Sequence, residues 1–204
     1  MTEKKKKELL KLAEKQNKDK KYSMIIDNLD FLIYLVAVVI LAFAIRNYCI
    51  EPVRVDGTSM TTTLDNNERM FLERFSYMFS KPSRGDIIVC YYPGYAVSCI
   101  KRVIGLPGET VKIENGRVYI DGQLLDESDY WKDNYFRTAD MEVTLDENHV
   151  FVMGDNRRPG GSHDSRSSNV GPIPLNRIEG RVFVTVYPFE KAKLVPKINY
   201  NVDK

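Results

Sequence analysis

The stretch Gly57-Thr58-Ser59-Met60-Thr61-Thr62-Thr63-Leu64 places five hydroxyl side chains in the six positions 58–63. A serine hydroxyl attacks a carbonyl only when a neighbouring base takes its proton. The chain has two histidines, His149 and His163. His163 directly precedes Asp164, so in a strand their side chains point to opposite faces and do not form the oriented base of a Ser-His-Asp triad. His149 opens a strand as a surface residue. A lysine is the other base type, and it serves only when neutral. Its ordinary pKa is ~10.4, and lowering that by about 2 pH units amounts to about 2.7 kcal/mol. Burial among apolar side chains can supply this. Lys101 is the candidate. On a strand over 97–104, Val97, Cys99, Lys101 and Val103 share one face, and Ser98, Ile100, Arg102 and Ile104 the other. Two plainer readings stay open on these residues alone. The octamer is then a Ser/Thr-rich turn, and Lys101 an edge-strand lysine that blocks aggregation. Paired carboxylates with glycosidase spacing are not evident. The glycines of 154–161 lack the Lys-Ser/Thr ending of a phosphate loop. No Cys/His spacing suggests a metal site.

The elements that must position Ser59 and Lys101 are written in the flanking sequence. The chain has 204 residues, 28% charged and 43% hydrophobic, an ordinary globular composition. Residues 1–29 form a basic tail with nine lysines, read as solvated chain with at most a short helix near 9–13. Such a tail alone would suggest nucleic acid. The segment after it points to a membrane instead, because Phe31–Ile45 carries no charge over 15 residues. Extended to Ile50, residues 30–50 reach the length that crosses ~30 Å of hydrocarbon as a helix. Arg46 and Tyr48 suit the interface. Basic residues stay cytoplasmic, which places the amino terminus inside and residues 51–204 outside. Ala42-Phe43-Ala44 has the small-x-small pattern of a signal-peptide cleavage site, but the long polar lead and Arg46 favour an uncleaved anchor.

Residues 51–204 read as mainly β. Strands are expected over 52–56, 69–75, 87–92, 97–104, 111–113, 117–120, 141–145, 149–153 and 181–187, with turn signals every 8–12 residues. Asn115-Gly116 marks a tight hairpin. Residues 126–140 and 154–168 read as loops. The expected fold is a membrane-anchored ectodomain of antiparallel sheets, with a small inserted β subdomain over 106–148. The odd number of cysteines (Cys49, Cys90 and Cys99) argues against a disulfide framework. Cys90 and Cys99 flank a hairpin turn, where one bridge between them is open.

Four segments resemble, in order, the motif boxes of bacterial type I signal peptidases. They are Gly57–Leu64, Arg84-Gly85-Asp86-Ile87-Ile88-Val89, Lys101-Arg102-Val103-Ile104-Gly105-Leu106-Pro107-Gly108-Glu109, and Gly154-Asp155-Asn156-Arg157 through Ser162-His163-Asp164-Ser165-Arg166. The single anchor resembles the Gram-positive form. The resemblance implies a cofactor-free Ser–Lys protease that removes signal peptides from exported preproteins. It makes Ser59 the nucleophile and Lys101 the general base. Ser162 would hydrogen-bond the lysine amine, with Asp155, Asp164 and Arg166 as supporting residues. The Ser59 N–H is one oxyanion donor. Some relatives have a serine at the position of Gly57, so here a backbone N–H, that of Gly57, must take its place. Two further departures are Thr62, where the family usually has proline, and about two extra residues before Ser162.

The implied substrate segment binds as an added strand between Val53, Val55 and Asp56 on one side and Cys99 and Ile100 on the other. The nine residues from Ile50 to Ser59 span at most about 30 Å, which holds the site near the outer membrane surface. Phe75, Tyr77 and Phe79 are read as resting on lipid. Preproteins and the lipid bilayer are the expected partners, with no nucleic acid and a monomeric chain. The competing readings are a catalytically silent, partner-binding β-domain and a self-cleaving Ser–Lys protease.

Overall fold

The structure is a computed structural model that describes residues 3–44, 50–133, 136–198 and 200–202. Arg46, Tyr48 and Cys49 lie outside the described residues. The chain divides into two compact units, residues 1–47 and residues 48–204.

The first unit is one helix, α1, Glu3–Ala44. The basic tail is therefore helical rather than extended solvated chain. Its Lys, Glu, Leu, Ala and Gln side chains are good helix formers, and no glycine or proline interrupts them. At about 1.5 Å per residue, 42 residues make a helix much longer than a ~30 Å hydrocarbon layer. Lys15–Phe43 contains an apolar window of mean hydropathy 2.2, long and apolar enough to cross a membrane. Phe31 to Phe43 are exposed around the whole helix, as a lipid-facing surface would be. Ile50, assigned by sequence to the end of the span, instead opens a strand opposite Glu73.

The second unit contains twelve strands among the described residues. They are β1 (Ile50–Arg54), β2 (Arg69–Glu73), β3 (Ile87–Tyr91), β4 (Ser98–Gly105), β5 (Thr110–Glu114), β6 (Arg117–Ile120), β7 (Gln123–Leu124), β8 (Met141–Thr144), β9 (His149–Met153), β10 (Ile173–Pro174), β11 (Ile178–Tyr187) and β12 (Lys193–Leu194). The larger sheet runs β1-β2-β11-β3-β4-β9-β10, with β12 on β11. Strands β5 to β8 form a second sheet ordered β7-β6-β5-β8, inserted between the paired strands β4 and β9. The Asn115-Gly116 turn closes the β5–β6 hairpin with φ +51° and +71°. Among the described residues every strand pairing is antiparallel.

The inserted sheet shares its core with the larger one. Val111, Ile113, Val118 and Ile120 pack with Ile104, Phe151 and Met153 from β4 and β9. A methyl at Gly105 would overlap Val111 Cγ2, so glycine lets the end of β4 lie directly on β5. The two faces of the larger sheet bury different clusters. Met60, Leu64, Met70, Leu72, Ile87 and Val89 form one, and Ile88, Cys90, Val103, Val150 and Val152 belong to the other. This alternation along β3 and β4 sets which way Lys101 points.

Candidate active site

Ser59 sits in the loop between β1 and β2. Its neighbours Met60 and Leu64 are each 1% exposed and pin the loop into the core, so the half-buried Ser59 has little freedom. Three short backbone hydrogen bonds, Thr61 N to Thr58 O, Thr63 N to Met60 O and Leu64 N to Met60 O, tighten the turn. Thr62 has φ +106°, a conformation closed to proline, whose ring holds φ near about −65°. Proline, usual in the family at this position, is therefore excluded here.

Lys101 lies in β4 opposite Ile88 of β3 and is 3% exposed. Its Nζ donates to Ser59 Oγ at 2.8 Å and to the Ile100 carbonyl at 2.8 Å. Burial pushes its pKa below the ordinary lysine value, opposed by the negative charge of Cys99, Asp164, Cys90 and Asp155 when ionised. The fold thus supplies both requirements for a lysine base: contact with the hydroxyl and a penalty on the ammonium.

The loop after β9 holds Ser59 from the other side. Asn156 donates its N–H to the Ser59 carbonyl at 3.0 Å and its Nδ2 to the Thr58 carbonyl at 3.0 Å. Asp155 is fully buried and accepts from Arg102 Nε at 2.8 Å and Nη2 at 2.6 Å. The Thr63 hydroxyl donates to the same carboxylate at 2.6 Å. Asp155 therefore joins the Ser59 loop to the strand that carries Lys101. The Arg102 guanidinium stacks 4.3 Å from the Tyr130 ring, and Arg157, which pairs with Glu127, lies 5.6 Å from the same ring.

Asp164 accepts from the Gly154 N–H at 2.9 Å and from Arg166 at 2.8 and 2.7 Å. Burial alone would raise its pKa, but Arg166 and the Gly154 N–H hold it below the usual aspartate value. A methyl at Gly154 would overlap both the Ser59 carbonyl oxygen and the Ser162 hydroxyl. Gly154→Ala should therefore displace Ser59 from Lys101 and lower the kcat of a reaction that uses the Ser59 hydroxyl, with little change in KM. Steady-state kinetics of the variant check this.

Three expectations need correction. The Ser162 hydroxyl does not bond Lys101. It is buried beside the Asp164 carboxylate without hydrogen-bond geometry, and Ile100 O takes the second Lys101 proton instead. The Gly57 N–H cannot serve the oxyanion as expected, because it donates to Asn66 Oδ1 at 2.9 Å. Tyr77 is not a lipid-facing aromatic: its hydroxyl donates to Asp86 at 2.8 Å and its ring packs against the sheet, while Phe75 and Phe79 are exposed as expected.

The expected substrate residues divide between the two faces. Val53, Val55 and Ile100 belong to one cluster, Cys99 to the other beside Lys101, and Asp56 is exposed. His149 pairs with Asp146 at the surface at 2.6 Å, and His163 is exposed, so neither approaches a triad arrangement. Sequence reasoning missed Arg102, Thr63 and Asn156 as supports. The available signal for Arg102 was an arginine on the inward face of an apolar strand.

A family model described as signal peptidase, peptidase S26, matches residues 28–187. The chain belongs to this family. The peptidase is 39% identical over 169 residues to signal peptidase I S of Bacillus subtilis (strain 168), covering 78% of this chain and 89% of that protein. It is 34% identical over 189 residues to a signal peptidase I of Bacillus amyloliquefaciens, covering 89% and 97% respectively. A solved signal peptidase I from Enterococcus faecalis V583 is 36% identical, covers 50% of this peptidase and 97% of that chain, and superposes with a TM-score of 0.43. Neither a silent binding domain nor a self-cleaving protease is favoured by these relatives.

Proposed function

We propose that Ser59 and Lys101 are the nucleophile and general base of this signal peptidase. As a family member the protein is a membrane serine endopeptidase that processes signal peptides. The observation that carries the residue assignment is the 2.8 Å contact between Ser59 Oγ and the amine of a buried lysine. Neutral Lys101 takes the Ser59 proton as Oγ attacks the scissile carbonyl, and the resulting ammonium protonates the leaving amine. The Ser59 N–H makes no hydrogen bond among the described residues and is free to meet the oxyanion. Asp155, Asp164 and Arg166 act as positioning residues: the first ties the Ser59 loop to β4, and the other two brace the loop after β9.

The substrate lies as an added strand. Strand β9 pairs with β4 only from Arg102 onward, which leaves Ser98–Lys101 without a strand partner on that edge among the described residues. An extended signal-peptide segment can complete it and deliver a carbonyl to Ser59. The basic half of α1 stays in the cytoplasm, its apolar half crosses the bilayer once, and residues 51–204 lie outside. Phe75, Met78 and Phe79, 53%, 69% and 76% exposed, project beyond the end of β2 at the edge of the catalytic unit where Ile50 enters, and rest on lipid.

The test is the pH dependence of preprotein cleavage by the full chain in detergent. Lys101 must be neutral to act, and burial lowers its pKa. The rate should therefore fall on the acid side as the pH drops through that pKa, and hold above it. A rate unchanged well below neutral pH would remove Lys101 as the base.

A further inference from the structure

Cys90 and Cys99 are directly opposed in the β3–β4 ladder, and their sulfurs are 3.6 Å apart with both thiols free. Directly opposed antiparallel residues have Cα separations of about 4.5–5.5 Å, within the range a disulfide spans. Closing the bond needs the sulfurs to move together by a side-chain rotation rather than a strand shift. Cys90 is fully buried, whereas Cys99 is half-buried. Cys99 stands two residues before Lys101 on the same face of β4, on the strand edge left open to substrate.

We propose that Cys90 and Cys99 form a reversible disulfide that tunes the Ser59–Lys101 centre beside it. The inference rests on Lys101 acting as the base. The groups facing this corner are Ser59, Cys90, Cys99, Tyr92, Asp155 and Asp164 around Lys101, with the exposed His163 ring 5.9 Å from that of Tyr92. Hydrogen bonding from Cys90 and then the Lys101 charge, against the cost of burial, bring the Cys99 thiol down to about 7, while Cys90 is held well above its usual value. Cys99 is thus the attacking thiolate and Cys90 the resolving thiol. With a small-molecule disulfide as oxidant, the Cys99 thiolate displaces one thiolate from it. The deprotonated Cys90 sulfur then displaces the second. Two protein thiols and one disulfide give one protein disulfide and two small thiols.

The consequence for Lys101 has a definite sign. In the reduced protein the Cys99 thiolate favours the lysine ammonium. A disulfide carries no charge, so oxidation removes that support and neutral Lys101 persists to lower pH. The acid limb of kcat/KM should move down by about one pH unit, the scale set by one close opposite charge.

The experiment uses the full chain in detergent, reduced or equilibrated with glutathione disulfide. Tryptic peptide 85–101 contains Cys90 and Cys99 but not Cys49. After oxidation it should lose two hydrogens and regain them with reductant, and the pH–rate profile should shift as stated. In Cys99→Ala no thiolate is left to attack glutathione disulfide, so the peptide cannot oxidise in this way and the profile should ignore the glutathione poise. Absence of the disulfide in the wild-type peptide overturns the proposal, whatever the activity. So does a disulfide that leaves the pH profile in place, or a Cys99→Ala profile that still shifts. If the reduced protein cleaves normally with no acid limb at all, the Lys101 reading fails instead, and the peptide mass still reports on the thiol pair.

Discussion

Ser59→Ala and Lys101→Met should each lower kcat/KM for preprotein cleavage by at least about 10⁴-fold while the domain stays folded. The two residues form one unit, so the double variant should be no worse than either single change. The stability readout separates chemistry from folding. Ser59→Ala removes one half-buried hydroxyl and leaves Lys101 its bond to Ile100 O. Lys101→Met keeps the length of a side chain only 3% exposed and removes an amine that is costly to bury, so the midpoint of urea unfolding should hold or rise. Substantial turnover in either folded variant would defeat the dyad.

Asp155→Ala should have the largest effect on stability. Arg102 and Asp155 have side-chain exposures of 1% and 0%, so the variant leaves a guanidinium buried without its counter-charge. Breaking such a pair on one side costs about 3–5 kcal/mol, a large part of a domain's net stability. Arg166→Ala should cost less, because that pair is 12% exposed on the arginine side. The same Asp155 variant also frees Thr63, which holds the Ser59 loop. A compensating double change, Arg102→Met with Asp155→Leu, should restore much of the stability, because well-packed apolar side chains replace buried ion pairs at little cost. It should not restore full activity, since Thr63 still lacks its acceptor. Urea unfolding and cleavage kinetics on the three variants distinguish these outcomes. Full activity in the double variant would show that the Thr63 contact does not position Ser59.

The mainly β class, most strand positions and the Asn115-Gly116 hairpin were legible because alternation and turn residues are local signals. The contact between Ser59 and Lys101 was legible for a different reason. A lysine on a strand face otherwise lined by Val97, Cys99 and Val103 violates the rule that charge stays in water, and four ordered motifs supplied its partner 42 residues away. The helix over the lysine-rich tail follows from the helical preference of its Lys, Glu, Leu and Ala residues, which their charge does not oppose.

Local pattern could nominate Ser59 and Lys101 and state that the lysine must be buried, because residue type and strand period are properties of neighbouring positions. It could not say which hydrogen bonds each polar group would make. That Ile100 O and not Ser162 takes the second Lys101 proton, that Asn66 occupies the Gly57 N–H, and that Asp155 serves Arg102 and Thr63 are outcomes of packing between segments far apart in the chain. Each buried donor and acceptor takes the partner that the assembled sheets bring within reach, and only the tertiary structure fixes that partner.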